Sequence, residues 1–153
     1  IAWPFHYFAE VIYVDIVPAI VKRLKDKVSD IPSFEVLQED CTHLKMKNKY
    51  KTIILAGIGG DLSIKILNNL IPQMLHSDEI IISAHKNIDK LRAFLHKSNL
   101  GLLEEWIIED NGQFYEIFKM SLSSHRNITL FGDLQFQNKN NSFLYRHRFL
   151  AMV

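Results

Sequence analysis

Three glycines, Gly57, Gly59 and Gly60, fall within four positions directly behind an apolar, partly β-branched run from Thr52 to Ala56. That run reads as a buried strand. Leu62, Ile66, Leu67, Leu70, Ile71 and Met74 then recur at helical spacing, so the unit is strand, tight glycine turn, and helix to about Leu75. In a parallel sheet such a turn lies at the carboxyl ends of the strands, where open α/β folds bind ligands. Glycine there permits a positive φ and close approach of a ligand. The same turn also serves close packing with no ligand. The G-I-G-G spacing is not the G-x-G-x-x-G of a dinucleotide site. Further polar groups stand at the carboxyl ends of neighbouring strands: Asp15, Asp40 with Cys41, and His85.

The elements that must position these residues follow in chain order. Ile1 to Ala9 is aromatic-rich, and Pro4 argues against a helix through its centre. Glu10–Val14 reads as a strand that Asp15 ends. Pro18 suits the first turn of a helix to about Val28, with Ala19, Ile20, Val21 and Leu24 as its apolar side. Ser29–Ser33 is a turn cluster, and Phe34–Gln38 is a second strand. Lys45, Lys47, Lys49 and Lys51 alternate through a polar connection. That pattern suits a solvated edge or one that faces phosphates. After the glycine unit come a strand at Glu79–Ser83 and a helix from Ile88 to about Lys97. Asn87 can cap this helix, and Leu91, Phe94 and Leu95 point inward. Leu102–Glu109 is a strand, Asn111-Gly112 a hairpin turn, and Gln113–Met120 the returning antiparallel strand. The order predicts an α/β fold whose mostly parallel sheet ends in an antiparallel hairpin.

Residues 121–153 hold no clean βα unit and carry Arg126, Lys139, Arg146 and Arg148 against Asp133. Ser142 can cap a helix from Phe143 onward. These residues read as a C-terminal extension after a domain over residues 1–120. The extension is either the start of a helical arm or a surface segment packed on the main domain.

Composition excludes several classes. The 153 residues are 48% hydrophobic, enough for a real core. With a net charge of +1, nucleic-acid binding would need a local patch. Cys41 is the single cysteine, which excludes an internal disulfide framework and fits a reducing compartment. No run of about 18 apolar residues occurs, so no membrane-spanning helix is expected. His6, His43, His76, His96, His125 and His147 show no metal-ligand spacing with Cys41, so no metal is expected. No nucleophile elbow or P-loop is present. The chain opens on Ile1 in mid-pattern, with apolar residues already dense. Further residues are therefore expected upstream.

Three blocks resemble one family, the bacterial tRNA adenine-N1 methyltransferases that modify the D-arm. Ile54–Leu62 (ILAGIGGDL) is similar to their I-A-G-M-G-G motif, and Lys90–Leu95 (KLRAFL) to their L-R-x-W-L helix. Glu105–Ile117 (EWIIEDNGQFYEI) is similar to their E-x-L-x-E-x-G-x-F-Y-E-I hairpin. The likeness is good over residues 50–120 and looser over 10–45. Where members carry a Q-P-N-like sequence, this chain has Ser83-Ala84-His85.

The resemblance implies a Rossmann-like, class I S-adenosylmethionine-dependent methyltransferase of the cytoplasm, with tRNA as partner and no membrane. It implies Asp15 on the ribose hydroxyls, and Asp40 with Cys41 at the adenine edge of the cofactor. Ala56, Gly57, Gly59 and Gly60 would surround its amino-acid end. Asp15 as a cap of the Pro18 helix and Asp40 as an ordinary strand-end turn stay open. Many nucleic-acid amino methyltransferases carry Asn/Asp-Pro-Pro-Tyr at the glycine position, to hold an exocyclic amine. Its absence fits a ring nitrogen as acceptor. Adenine N1 has an in-plane lone pair, so transfer need not begin with deprotonation and positioning supplies most of the acceleration. Asp61 is a candidate to stabilise the cationic product, or a helix cap. N1 lies on the pairing edge, so the base must be unpaired or extruded. His85 and Tyr115 are candidates to stack on it, with core packing the other reading for Tyr115. A methyltransferase for another substrate and a non-catalytic Rossmann-like RNA-binding module are the alternatives. The resemblance also implies that the upstream residues hold a strand and a Gly-containing acidic loop. In this topology the strand before Glu10–Val14 is central. The 153 residues are therefore expected not to close one continuous sheet.

Overall fold

The computed structural model describes residues 7, 9–46, 51–130 and 132. The chain divides into two units, residues 1–45 and 46–153. In the first, β1 (Val11–Asp15), α1 (Pro18–Val28) and β2 (Phe34–Gln38) form a β-α-β unit with parallel strands, Asp15 lying opposite Gln38. Pro18 opens α1, where its missing N–H would have had no helical partner. Val21 and Val28 of α1 pack with Phe34 and Val36 of β2. Ala19 and Ile20, expected on the apolar side, are exposed instead. The buried stripe runs through Val21, Leu24 and Val28, one face of the helix.

The second unit contains β3 (Thr52–Ile58), α2 (Gly60–Leu70), β4 (Glu79–Ala84), α3 (Ile88–Lys97), β5 (Gly101–Asp110) and β6 (Gln113–Ser121). A 3-10 turn at Ile71–Gln73, built on Pro72, follows α2. The strand order is β3-β4-β6-β5. β3 and β4 are parallel, and β6 runs antiparallel to both β4 and β5. The second strand of the hairpin is thus inserted between β4 and β5. Each expected strand is present, β2 with the expected ends and the others with one or both ends shifted by at most two residues. Among the described residues they lie in two sheets, of two and four strands.

Leu67 and Leu70 of α2, Leu91 and Leu95 of α3, Ile80 and Ile82 of β4, and Phe118 and Met120 of β6 form the core of the second unit. The strand residues among them alternate in sequence, so they share one face of the sheet. Burying each such side chain contributes about 1.5–3 kcal/mol. Arg92 lies in the same helical stripe as Leu91 and Leu95 and is buried with Glu105 and Glu116, their side chains 3%, 1% and 2% exposed. Its Nε donates to Glu116 Oε2 at 2.7 Å and its Nη1 to the Thr129 carbonyl at 2.8 Å. Its Nη2 pairs with Glu105, and its guanidinium lies 4.7 Å from the Phe118 ring centroid. Glu105 reaches this face because the register shifts between Leu102 and Glu104. The bulge resets the alternation of β5.

Residues beyond β6 bond to the outer edge of β5 at its start, at Leu102. The Leu102 N–H donates to the Arg126 carbonyl at 2.6 Å, and Ser124 Oγ donates to the Leu102 carbonyl at 2.9 Å. Ile128 is fully buried, and its carbonyl meets the His96 ring Nδ1 at 2.7 Å. The Leu102 N–H and carbonyl, which would otherwise be open at the strand edge, are thereby paired. The Ser142 helix, Lys139, Arg146, Arg148, Lys47, Lys49, His6 and His147 lie outside the described residues.

Candidate functional site

β3 continues past Ala56, and Gly57 lies inside it rather than in a turn behind it. The pairing of β3 with β4 shifts register between Ala56 and Ile58. Gly57 takes φ +76 there, with nothing within 4 Å of where a Cβ would stand. An exposed glycine with positive φ and open space beside it lets a ligand meet the backbone closely. Gly59 precedes α2 in an extended conformation, and the nearest atom to its Cβ position is 4.0 Å away. Gly60 differs: its N–H donates to the Lys86 carbonyl at 2.7 Å, and a Cβ would run into the Asn87 carbonyl. The three glycines therefore divide by surroundings. Gly57 and Gly59 stay open beside half-buried Ala56, while Gly60 packs the turn.

The turn between β4 and α3 lies against this one. The His85 N–H points at the Ile58 carbonyl, 3.4 Å away. Asn87, expected as a side-chain cap, makes no capping bond; it adopts a left-handed backbone with φ 55 and donates its side-chain amide to the Asp61 carboxylate. Lys90 Nζ also reaches Asp61, at 3.4 Å. Asp61 thus sits in the first turn of α2, tied to α3. The rings of His85 and Tyr115 meet edge-to-face, their centroids 5.2 Å apart and their planes at 89°. His85 is exposed and Tyr115 half-buried. The structure thus gathers Ala56, Gly57, Gly59, Gly60, Asp61, His85 and Tyr115 around the carboxyl ends of β3 and β4.

Asp15, Asp40 and Cys41 belong to the first unit. Asp15 Oδ1 accepts the Val17 N–H at 2.9 Å and Oδ2 accepts the Tyr13 hydroxyl at 3.0 Å. The carboxylate therefore shapes the approach to α1 without capping it, since the N-cap is Val17 and has no side-chain cap bond, and it keeps lone pairs for a further donor. Burial, then the bond to Asp15, pushes the Tyr13 phenol up, so it stays a donor. Asp40 accepts the N–H and the hydroxyl of Thr42, both at 2.8 Å. The Thr42 backbone bond foremost holds its carboxyl below the usual range. Burial, and then the charge of Asp40, pushes the Cys41 thiol up, so the sulfur is neutral at physiological pH.

Lys51 is not part of a phosphate-facing edge. Its Nζ lies 3.1 Å from Oδ2 of fully buried Asp78, which also accepts the N–H groups of Lys51 at 3.1 Å and Leu75 at 2.8 Å. This network ties the amino-terminal ends of β3 and β4, opposite the glycine turn. Neither Asp78 nor the Arg92–Glu105–Glu116 cluster stands out by spacing. The available signals were a charge within a helix's apolar stripe and an aspartate just before a strand. Among the described residues, no group of three or more His, Cys, Asp or Glu could hold a metal ion. No helix among them is long and apolar enough to cross a membrane.

The family described as "Methyltransferase domain" matches residues 5–118. The chain belongs to this family. This methyltransferase domain is 27% identical over 96 residues to the tRNA (adenine(22)-N(1))-methyltransferase of Bacillus subtilis (strain 168), a match covering 63% of the chain and 40% of that relative. The aligned part is thus less than half the length of the curated relative. The B. subtilis M1A22 tRNA methyltransferase TrmK superposes with a TM-score of 0.73 at 22% identity, over 88% of this chain and 63% of that one. M. capricolum TrmK, solved with S-adenosyl-homocysteine, gives 0.69 at 18% identity, over 88% and 62%. These likenesses show a Rossmann-like methyltransferase fold for the domain.

Proposed function

We propose that this methyltransferase domain binds S-adenosylmethionine and, in its full-length protein, methylates N1 of an adenine in tRNA. The observation that carries the reading is the open, positive-φ Gly57 close to the His85–Tyr115 corner, in a chain similar to a tRNA adenine-N1 methyltransferase. Each unit by itself offers groups that suit a part of the cofactor. Ala56, Gly57 and Gly59 leave backbone open to its amino-acid end, while Gly60 shapes the turn. Asp15 has acceptor capacity for the ribose hydroxyls. Asp40, kept ionised, suits the amino edge of the adenine. The neutral thiol of Cys41 gives a soft, weakly donating flank.

When bound, the cofactor supplies an electrophilic methyl group. The chain supplies orientation. Adenine N1 presents its lone pair in the ring plane, so no side chain need remove a proton first. His85 and Tyr115 stand at right angles and offer one face and one edge to an extruded base. Asp61 already holds Asn87 and Lys90, so its first role is to join the two turns. A tRNA substrate goes with a cytoplasmic location. The test is to incubate full-length protein with S-adenosylmethionine and unmodified tRNA, then digest and analyse the nucleosides by mass spectrometry. N1-methyladenosine is the expected product. Cofactor binding in calorimetry without transfer to any tRNA would point to another substrate. No cofactor binding would leave an RNA-binding module.

A further inference from the structure

We infer that Asn87 is a positioning residue that locks the β4–α3 turn onto the glycine turn and so sets His85 for the incoming base. The catalytic part of this inference rests on the methyltransferase reading above. Beyond the last paired residues of β3 and β4, Ile58 and Ala84, the two chains stay joined. Gly60 donates to Lys86 and His85 approaches Ile58. The Asn87 carbonyl occupies the space a Cβ at residue 60 would need, and it also accepts the Leu91 N–H at 3.2 Å, the first helical bond of α3. Asn87 does all this with φ 55 and ψ 41, a conformation disfavoured for side-chain-bearing residues and best tolerated by Asn and Asp.

Glycine would take that backbone more readily. The presence of Asn therefore indicates a use for the side chain, and its amide is bonded to Asp61. Lys90, one turn into α3, holds the other oxygen of the same carboxylate at 3.4 Å. His85 lies two residues before Asn87, so the backbone that this lock fixes also aims the imidazole at Tyr115. Both partners of the lock are exposed, and losing the bond is not expected to unfold the chain.

The test pairs Asn87→Asp with the exchange Asp61→Asn/Asn87→Asp. The single variant sets two carboxylates against each other; the exchange restores a donor and an acceptor in reversed order. Asn87→Gly keeps the left-handed backbone and removes only the side chain. In nuclear magnetic resonance spectra, Asn87→Asp and Asn87→Gly are expected to lose the ring-current shift that Tyr115 imposes on His85. Exchange of the Gly60 amide is expected to quicken about tenfold or more through local opening. Both are expected to recover in the exchange variant. In the full-length protein, kcat is expected to fall about tenfold or more in the single variants, since small misplacements are costly to transfer. KM for S-adenosylmethionine stays near wild type, and the exchange variant regains kcat. Unchanged His85 shift and Gly60 exchange in the single variants would overturn the inference. So would an exchange variant with wild-type melting and circular dichroism in which neither recovers. The spectroscopic arms need no turnover. A protein that methylates nothing would sink the proposed function while leaving the lock decided on its own evidence.

Discussion

Cys41 is a neutral thiol because it is half-buried next to acidic residues, and this has consequences in solution. Burial raises its pKa, and the charges of Asp40 and Asp15 push the same way. The folded value lies above the unfolded one, so the thiol imposes no penalty below its ordinary range of about 8.5. Above it the unfolded chain loses its proton first and stability falls. Alkylation of the folded chain is expected to be slow at neutral pH and to accelerate only above that range. Rapid iodoacetamide labelling at neutral pH, read by mass spectrometry, would contradict this. Asp40 behaves oppositely. Its carboxyl is held down by Thr42, so that contribution is present above the ordinary carboxylate range and is lost as pH falls through the folded value. Asp15 carries the cofactor proposal at this scale. In the full-length protein, Asp15→Ala is expected to weaken S-adenosylmethionine binding by roughly 1–3 kcal/mol, the loss of a charged hydrogen-bond partner. Unchanged affinity in a calorimeter, with circular dichroism showing α1 intact after loss of the Asp15–Val17 bond, would remove Asp15 from the ribose site.

Between elements, the arrangement turns on charges that periodicity alone could not place. The stripe of α3 through Leu91 and Leu95 was readable from spacing, but the same spacing puts Arg92 in the core. Unbroken alternation from Leu102 would put Glu104 and Trp106 inward, whereas the bulge turns Glu105 in. Arg92, Glu105 and Glu116 come from the two sequence blocks that resemble the family's helix and hairpin, and they meet between α3, β5 and β6. The glycine motif was likewise readable as a whole, yet only its geometry separates open Gly57 from packed Gly60. Buried ion clusters are costly to break and often cheap to replace whole. Arg92→Ala is expected to destabilise the chain by about 3–5 kcal/mol, because two carboxylates then stay buried without their cation. Replacing Arg92, Glu105 and Glu116 together by Leu is expected to be near neutral. Urea unfolding measures both, and a mild effect of Arg92→Ala would show that the cluster is solvated.

The whole molecule is uneven, and its two units are expected to differ in stability. Strand and helix positions were legible because apolar residues alternate or recur along them. The insertion of β6 between β4 and β5 was not, since periodicity does not specify neighbours. The first unit rests on Val21, Val28, Phe34 and Val36 beneath one helix and two strands, and two strands are marginal by themselves. The second has a four-stranded sheet with Leu67, Ile80, Ile82, Leu91, Phe118 and Met120 essentially inaccessible to solvent. Its central strands, β4 and β6, are paired on both sides. Amide exchange is therefore expected to be fast in β1 and β2 and slowest in β4 and β6, because local opening follows the apolar area that each element buries. A ligand held by Asp15 and Asp40 must change this pattern. At a free concentration of about 100 Kd, linkage adds about 2.7 kcal/mol to the state that binds, slowing exchange there about a hundredfold. Adding S-adenosylmethionine to the full-length protein is thus expected to protect β1 and β2 far more than β6, whose exchange is already limited by the stronger core. Protection confined to residues 56–61 would show that the cofactor is held by the glycine turn without Asp15 and Asp40. Equal exchange in both units before addition would show that the first unit draws its stability from more than its own small core.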